Sequence, residues 1–533
     1  MYIALKAKNM KLIKNSSLLF FFPVFMIVSK AACIGNRKIC NNMKGKMMKQ
    51  PNILLLMCDQ FRGDCLSYAG HPDVKTPYLD TLASDGAFFD RAYSSCPSCI
   101  PARAALFTGK SQEHHGRVGY EDGIDWNYDH MLAEEFSTHG YQTQCVGKMH
   151  VHPVRKHCGF QGLRLHDGYL GYYRDASIPH FQHQTVTDDY LYDLKNALGS
   201  HADFNASGPE CNSWVTHPWI YEERLHPTNW VTEESIRFLE TRDRTRPFFL
   251  MSSYVRPHQP FDAPASYFDL YKDKELRAPA CGDWDDTAST EQFGYRKDSI
   301  YGCNDAEQRH NAMAGYYACI THVDHQIGRL LSALMESGEY DNTVILFLSD
   351  HGELLFDHHL YRKVFAYEGS THIPLLFHVG KNVCPSKPIR SNTITELRDI
   401  LPTLLDFAGI PVPEGVDGFS LMPEIVGKPK EEQNNREYLH GEHSFHSGLS
   451  SHFIVTETDK YIWYSEKNTE QYFDLRKDPR EEHNAIADEA YQARIAYLRA
   501  LLIQELDGRE EGYSDGVSLQ SGCTPVANLS HIL

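Results

Sequence analysis

Two continuous apolar runs, each followed directly by an aspartate, constrain the fold of this 533-residue chain more than any other feature. The first run is 52–58, which precedes Asp59, and the second is 343–349, which precedes Asp350. Apolar runs without polar alternation are typical of strands buried on both faces of a parallel sheet. Because open α/β sheets place their sites at the carboxyl ends of such strands, the two aspartates mark a candidate site.

Further strand candidates alternate with helical segments along the chain. The strand candidates are 142–146, 248–254 and 373–379. The longest helical segment is 311–337, where apolar residues recur at helical spacing and Gly338 suits the C-terminal cap. This alternation predicts an α/β fold with a large mixed, mostly parallel sheet that is flanked by helices.

The pattern changes near residue 425, where short strand-like runs replace the alternation of strands and helices. These runs are 438–439, 453–456 and 461–464, and the turn-rich segment 474–479 follows them. They predict a smaller C-terminal subdomain with an antiparallel sheet. The stretch 277–301, rich in Asp, Gly and aromatic residues, predicts a long loop or insertion and a candidate substrate rim.

The N-terminal segment has the pattern of a secretory signal peptide over residues 11–32. Two lysines precede an apolar run at 18–28, which is too short to span a bilayer, and two alanines offer a cleavage site. The pattern predicts a periplasmic or secreted protein, and Cys33 after the alanines is compatible with a lipoprotein. The alternative is a start of translation at Met47 or Met48, which would make the protein cytoplasmic.

Charge is distributed unevenly along the chain. The first 50 residues contain nine Lys, one Arg and no acidic residue. The remainder of the chain therefore contains all 70 acidic residues and 42 basic ones. Nucleic-acid binding through a broad field needs many clustered cations, which an acidic body does not supply. We therefore expect no nucleic-acid partner, and any anionic substrate must be met by a few local cations.

The segment 99–109 (CIPARAALFTG) carries the most specific signal. It resembles the C-x-P-x-R signature of the formylglycine-dependent sulfatases, a family of the alkaline phosphatase superfamily. In that family a maturation enzyme oxidises the cysteine to formylglycine, whose hydrated aldehyde supplies the nucleophilic hydroxyl. Local sequence agrees, since Pro101 suits the start of a helix and Gly109 its end, which leaves Cys99 at an anion-favouring N-terminus. Arg103, about one turn inward, would stabilise the nucleophile and its metal.

Two residue pairs resemble the metal pairs of that family. They are Asp59-Gln60 and Asp350-His351, and the resemblance adds modified Cys99 to the ligand set. Gln60 departs from the second aspartate that the family more often has. Oxygen ligands favour Ca²⁺ or Mg²⁺, whereas the imidazole of His351 also suits Mn²⁺ or Zn²⁺, and Ca²⁺ is the predicted ion. Either aspartate taken singly also suits a helix cap.

Three further matches complete the resemblance. G-K-x-H at 147–150 supplies Lys148 and His150, P-H-x-P at 257–260 supplies His258, and Lys363 follows the second metal pair. In the family the lysines contact the sulfate, the first histidine helps to release sulfate from the nucleophile, and the second protonates the leaving alcohol. Taken singly, these are ordinary surface lysines and half-buried histidines.

The resemblance implies a sulfatase that releases inorganic sulfate from an organic sulfate ester, with a sulfated sugar or glycan fragment as the favoured substrate. His443 and His446, in the predicted C-terminal subdomain, are candidate substrate residues. The predicted division is a signal peptide at 1–32, a linker at 33–49, a sulfatase catalytic domain at 50–424 and a C-terminal subdomain at 425–533. The sequence predicts no membrane span and leaves the oligomeric state open.

Three alternatives remain open at the level of sequence. The first is a phosphonate monoester or phosphodiester hydrolase of the same superfamily, which the metal pairs also fit. The second is a glycan-binding protein in which Cys99 is never matured. The third is an ordinary thiol nucleophile at Cys99. Cys96 and Cys99 also form a C-x-x-C, which is typical of redox sites, but Pro101 and Arg103 just downstream point elsewhere.

Overall fold

A computed structural model of the protein describes residues 50–168, 187–204, 206–445 and 448–533. The predicted signal peptide at 1–32 and linker at 33–49, together with His446, lie outside these ranges. Within them, no helix combines the length and apolar character needed to cross a membrane.

Strands and helices alternate through the first three quarters of the described chain, as the sequence predicts. The strands are β1 (Asn52–Asp59), β2 (Ala87–Phe89), β3 (Ala92–Tyr93), β4 (Gln142–Gly147), β5 (Gly162–Leu165), β6 (Phe248–Pro257), β7 (Thr343–Ser349), β8 (Leu375–Val379), β9 (Ile389–Ser391), β10 (Thr395–Glu396), β11 (Tyr438–His443), β12 (Ser451–Thr456), β13 (Lys460–Tyr464) and β14 (Thr469–Phe473). The α-helices are α1 (Pro77–Ser84), α2 (Cys99–Thr108), α3 (Gln112–His115), α4 (Leu132–Thr138), α5 (Asp189–Leu198), α6 (Pro227–Thr241), α7 (Ala265–Phe268), α8 (Thr287–Phe293), α9 (Ala306–Glu336), α10 (Glu368–Thr371), α11 (Ile400–Ala408), α12 (Met422–Ile425) and α13 (Gln492–Glu505).

Eight strands form the central sheet in the order β5-β4-β6-β1-β7-β8-β2-β9. Strand β1 pairs in parallel with β6 and β7, whereas β8 runs antiparallel to both of its neighbours. Alternate side chains of β1 enter two separate hydrophobic cores, with Leu54 in one and Leu55 in the other. Burial on both faces explains the continuous apolar run in the sequence. The predicted mixed, mostly parallel α/β sheet is confirmed.

The second sheet contains β11 to β14, paired antiparallel in sequence order. It confirms the predicted antiparallel C-terminal sheet. Helix α13 packs on one face, where Ile495 and Leu498 share a core with Tyr461 and Trp463. The division of the chain into domains at residue 425 stays a prediction.

Two elements differ from the sequence expectation. Helix α9 begins at Ala306 rather than at residue 311, because the Asp305 carboxylate accepts a hydrogen bond from the Gln308 amide and caps an earlier start. The stretch 277–301 is not a continuous loop, since it contains α8, which Asp286 caps through the Ser289 amide. Polar residues dominate both segments, so an apolar period could not reveal these helical turns.

Candidate active site

The parallel register of β1 and β7 brings the two predicted aspartates together. Cys58 lies opposite Ser349, so Asp59 and Asp350 leave the sheet side by side at its carboxyl edge. The backbone amide of Gln60 donates to Asp350 Oδ1 over 3.1 Å. Both carboxylates are fully buried.

Cys99 is the first residue of α2, and this helix ends at Gly109 with a φ of 68°. A Cβ atom at residue 109 would lie 2.9 Å from Val416. The backbone there is also left-handed, which favours glycine over residues with a side chain. The Cys99 Sγ lies 3.3 Å from His351 Nε2 and 3.6 Å from Asp59 Oδ1. The helix therefore begins two residues before Pro101, the residue that the sequence placed at its start, and its first residue lies beside Asp59 at the end of β1.

Four buried side chains form a candidate metal centre. Ligand atoms of Asp59, Cys99, Asp350 and His351 all lie within 4.8 Å of one another. Burial and the neighbouring Asp59 raise the pKa of Asp350, because two carboxylates share one water-poor site. Oxygen and imidazole donors around paired buried carboxylates fit a divalent cation, which would offset that repulsion.

Three cations surround the same centre. The Nε of Arg103 donates to Asp350 Oδ2 over 3.0 Å, and the ammonium of Lys148 forms an ion pair with Asp59. The Nζ atoms of Lys148 and Lys363 lie 3.7 and 3.5 Å from Cys99 Sγ. Burial and Asp59 oppose ionisation of the thiol, but these two lysines with His351 hold the pKa of Cys99 well below its usual value. The position therefore favours an anion.

Gln60 directs its side chain at protein groups rather than at the four clustered ligands. Its Oε1 accepts a hydrogen bond of 2.7 Å from Lys363, and its Nε2 donates to Gln259 and to Glu353. The backbone φ of Gln60 is 67°, which turns the chain sharply after β1. A metal-ligand role for Gln60 stays a prediction.

The two predicted histidines face one cavity. His258 Nδ1 lies 3.0 Å from the Gln259 carbonyl, and because that oxygen only accepts, Nδ1 carries a hydrogen. Burial and Lys363 lower the pKa of His258 well below its usual value. Both ring nitrogens of His150 are buried and lack a hydrogen-bond partner among the described residues, although Nε2 lies 3.8 Å from Asp122.

The cavity has a volume of about 210 Å³, and Cys99 is one of its lining residues. The predicted Lys148, His150, His258 and Lys363 also line it, and most of its lining surface is apolar. The remaining lining residues are Ser98, Tyr120, Asp167, Gly168, Cys211, Asn212, Val255, Gln259, Ile300, Arg362, Val364 and Phe445. Ile300 comes from the predicted rim at 277–301.

His443 lies beside the site but does not line the cavity. Its Nε2 is 2.9 Å from Ser98 Oγ, and burial lowers the pKa of His443 to about 3. The neighbouring Phe445 reaches the cavity instead. Contact of His443 with substrate stays a prediction, and His446 lies outside the described residues.

Glu353 is the site residue that the sequence analysis missed most clearly. Its Oε1 accepts hydrogen bonds from the Leu355 and Arg362 amides, and its Oε2 accepts from Gln60 and Gln259. Its position three residues after Asp350, in Asp-His-Gly-Glu, is a signal that could have identified it. Arg362 was also missed, although it directly precedes Lys363.

Comparison with known proteins agrees with this geometry. The family model described as Sulfatase matches residues 51–410, and that of the N-sulphoglucosamine sulphohydrolase C-terminal region matches 356–507. An arylsulfatase of Clostridium perfringens is 50% identical over 91% of this chain and 100% of its own length. An N-acetylglucosamine-6-O-sulfatase of Bacteroides thetaiotaomicron is 27% identical over 89% of each chain. The crystal structure of the phosphonate monoester hydrolase of Agrobacterium radiobacter has a TM-score of 0.69 at 27% identity, over 85% of this chain and 95% of that one.

The sheet, the buried group of potential metal ligands and the cation-lined cavity define an ester hydrolase with an alkaline-phosphatase-like fold. Within that class, the chain belongs to the sulfatase family, since the family model covers more than half of its length. It is a sulfuric ester hydrolase, which confirms the predicted activity. The family also implies a metal ion and a formylglycine, and the buried group at Cys99 fits both.

Proposed function

We propose that the protein hydrolyses the sulfate ester of a sulfated sugar. Residue 99 is the nucleophile, after Cys99 has been matured to formylglycine. One observation carries the proposal: the Cys99 Sγ lies within 3.7 Å of Lys148, Lys363 and His351 at the base of a cavity. A nucleophile at that position meets a sulfate group where three cationic or polar side chains converge. The oxidised residue would supply a hydrated aldehyde hydroxyl as the nucleophile.

Asp59, Asp350, His351 and residue 99 would hold a divalent cation, with Ca²⁺ as the proposed ion. When bound, the cation would supply Lewis-acid stabilisation of negative charge. Arg103 supports the same centre from within the protein, because its guanidinium holds Asp350 in place. Gln60 contributes through Lys363, whose ammonium it positions.

Lys148 and Lys363 bind the sulfate oxygens in this proposal. The sulfate oxygens carry negative charge throughout the reaction, and two fixed ammonium groups stabilise it in a water-poor cavity. Lys148 is held by Asp59 and Lys363 by Gln60, so neither lysine has to reorganise during the reaction. Lys148 follows β4 and Lys363 follows β7, so the two lysines contact the sulfate from two different segments of the chain.

His258 protonates the leaving alcohol, which leaves the sulfate on one oxygen of the residue 99 hydrate. His150 then removes the proton of the other hydroxyl, the C–O bond to the sulfate breaks, and inorganic sulfate leaves as the aldehyde is restored. Burial and Lys363 lower the pKa of His258, but an anionic substrate adds negative charge beside it and raises that pKa. General acid catalysis of this kind contributes about 10²–10⁴-fold. The unpartnered ring nitrogens of His150 leave it able to accept a proton.

A sugar is the proposed bearer of the sulfate. Tyr120 and Phe445 line the cavity and offer aromatic faces to a pyranose ring, while Asn212 offers hydrogen bonds to hydroxyl groups. The N-acetylglucosamine-6-O-sulfatase of B. thetaiotaomicron, similar along 89% of this chain, bears a name consistent with such a substrate.

A kinetic panel tests the reaction class. We expect kcat/KM for sulfated monosaccharides and aryl sulfates to exceed that for phosphonate monoesters and phosphodiesters. A clear preference for the phosphorus esters would support the superfamily alternative and overturn the sulfatase proposal.

Replacement of the nucleophile tests residue 99. We expect Cys99→Ala to fold and to lose turnover, and peptide mass spectrometry to detect formylglycine at residue 99 after expression with the maturation enzyme. Retained turnover in Cys99→Ala would contradict the proposal. An unmodified thiol with sugar binding but no turnover would identify an unmatured glycan-binding protein.

Export through the signal-like segment 11–32 is the proposed location. N-terminal sequencing of the native protein should give a mature chain that starts after this segment. A chain that starts at Met47 or Met48 and stays in the cytoplasm would contradict export.

A further inference from the structure

Arg362 is a cation in the cavity that the proposed reaction does not use. It lies between Tyr361 and the sulfate-facing Lys363, and it lines the same cavity as Cys99. Its Nε is buried without a hydrogen-bond partner, and its guanidinium has no ion pair with any carboxylate that the structure describes. The Arg362 side chain is half-buried, and an anionic ligand in the cavity would give its enclosed Nε–H an acceptor.

Backbone geometry directs this side chain into the cavity. Arg362 and Val364 have φ values of 72° and 82°, which flank Lys363 with two left-handed residues. In an extended segment, consecutive side chains alternate between faces, but here 362, 363 and 364 all line one cavity. Left-handed conformations are unfavourable for these residue types, so the surrounding structure must hold them.

Glu353 fixes the Arg362 backbone without neutralising the Arg362 guanidinium. Its Oε1 accepts the Arg362 backbone amide over 2.5 Å, and its Oε2 is already shared by the Gln60 and Gln259 amides. Asp167, which lines the cavity, accepts the Met149 and His150 backbone amides through Oδ1. Both carboxylates thus accept hydrogen bonds from groups other than the Arg362 guanidinium.

We propose that Arg362 forms a subsite for a second anionic group, a carboxylate or a second sulfate, on the substrate whose sulfate ester is cleaved at residue 99. This inference rests on the proposed function and narrows its substrate to compounds with two negative groups. A guanidinium binds both anions through paired N–H donors, which a lysine does not reproduce. The apolar walls formed by Val364 and Ile300 would strengthen that contact by excluding water.

Three aryl sulfates of matched shape test the subsite: phenyl sulfate, 4-carboxyphenyl sulfate and 1,4-phenylene disulfate. For each substrate, kcat/KM of Arg362→Gln is divided by that of the unaltered enzyme, which cancels differences in leaving-group reactivity. We expect this ratio to be about 10- to 100-fold lower for one or both dianionic substrates than for phenyl sulfate. A fall confined to the carboxylate or to the disulfate identifies which anion the subsite takes.

Two further variants complete the design. Arg362→Lys should recover part of the loss, because it restores the charge without the paired donors. Arg244→Gln, at an exposed position in the turn before β6, is the matched control and should leave all three rates unchanged.

Equal ratios for all three substrates in Arg362→Gln would overturn the subsite. Turnover of phenyl sulfate by that variant shows that it folds. Failure of the unaltered enzyme to hydrolyse any sulfate ester would instead refute the proposed function, so the two failures are distinguishable.

Discussion

Arg256 and Asp262 form a buried, bidentate ion pair across the segment that carries His258. Arg256 Nε lies 2.7 Å from Asp262 Oδ1, and the second guanidinium nitrogen lies 2.8 Å from Oδ2. Both side chains are at most 3% exposed. The pair joins the end of β6 to the residue just beyond Phe261, and so it closes the loop around the proposed general acid.

Removal of one partner should destabilise the protein strongly. We expect Asp262→Asn to lower the free energy of unfolding by about 3–5 kcal/mol, because it leaves the Arg256 charge buried without its counter-ion. Urea denaturation followed by fluorescence measures the change. The exposed bidentate pair of Arg390 and Asp90 is the control, and Arg390→Gln should change stability by at most about 1 kcal/mol. Equal losses in the two variants would contradict the role of burial.

The same pair should make stability depend on acid pH. Burial alone would raise the pKa of Asp262, but Arg256 and His226 lower it to about 2. An aspartate in the unfolded chain has a pKa of about 3.9. The stabilising contribution of ionised Asp262 is therefore complete above that pH and is lost as the pH falls toward 2. We expect the stability difference between the unaltered protein and Asp262→Asn to shrink by about 2–3 kcal/mol between pH 5 and about 2. A difference that is constant with pH would refute this linkage.

Glu353 should act as a positioning residue for Gln60, Gln259 and, through Gln60, Lys363. We expect Glu353→Gln to lower kcat/KM for sulfate esters by about 10- to 100-fold, because the amide cannot accept every hydrogen bond that the carboxylate accepts. Stability should fall by about 1–3 kcal/mol.

The control for Glu353 is Glu424→Gln, which alters a carboxylate that binds Ser391 and Thr393 away from the cavity. It should affect stability without affecting kcat/KM. A pH–rate profile adds a readout that does not report on folding. Lys363 lowers the pKa of His258, so displacement of Lys363 should change that pKa and shift the profile. Unchanged kinetics in Glu353→Gln would show that the residue is only structural.

A divalent cation should stabilise the folded protein through Asp59 and Asp350. At a Ca²⁺ concentration about 100 times its Kd, we expect stabilisation by about 2.7 kcal/mol, seen as a rise in Tm over a chelator-treated sample. Asp350→Asn should abolish that rise, and parallel scans with Mg²⁺ and Mn²⁺ rank the ions.

A second, more exposed group of potential ligands provides the control for this experiment. It contains Cys281, Asp285 and His359, whose ligand atoms also lie within 4.8 Å of one another. Asp285→Asn should leave the Ca²⁺-dependent rise in Tm intact. If the rise persists in Asp350→Asn and disappears in Asp285→Asn, the cation binds at the wrong site for the proposed reaction.

The sequence by itself determined the framework of this protein. Strands buried on both faces must be apolar throughout, so β1 and β7 were readable as runs that end at Asp59 and Asp350. The helix at the cysteine motif was readable as well, with its end at Gly109, although it begins at Cys99, two residues before the Pro101 that suits a first helical position. Local chemistry and the family motif thus located the candidate centre.

Tertiary structure alone decided which neighbours complete the centre. Glu353 meets Gln60 across 293 positions of sequence, and His443 meets Ser98 across 345. Arg362 enters the cavity only because its backbone is left-handed and anchored to Glu353. Such contacts depend on strand order and on long-range hydrogen bonds, which leave no periodic trace in the chain. The sequence therefore located the candidate centre, whereas the folded structure showed which other side chains line the cavity beside it.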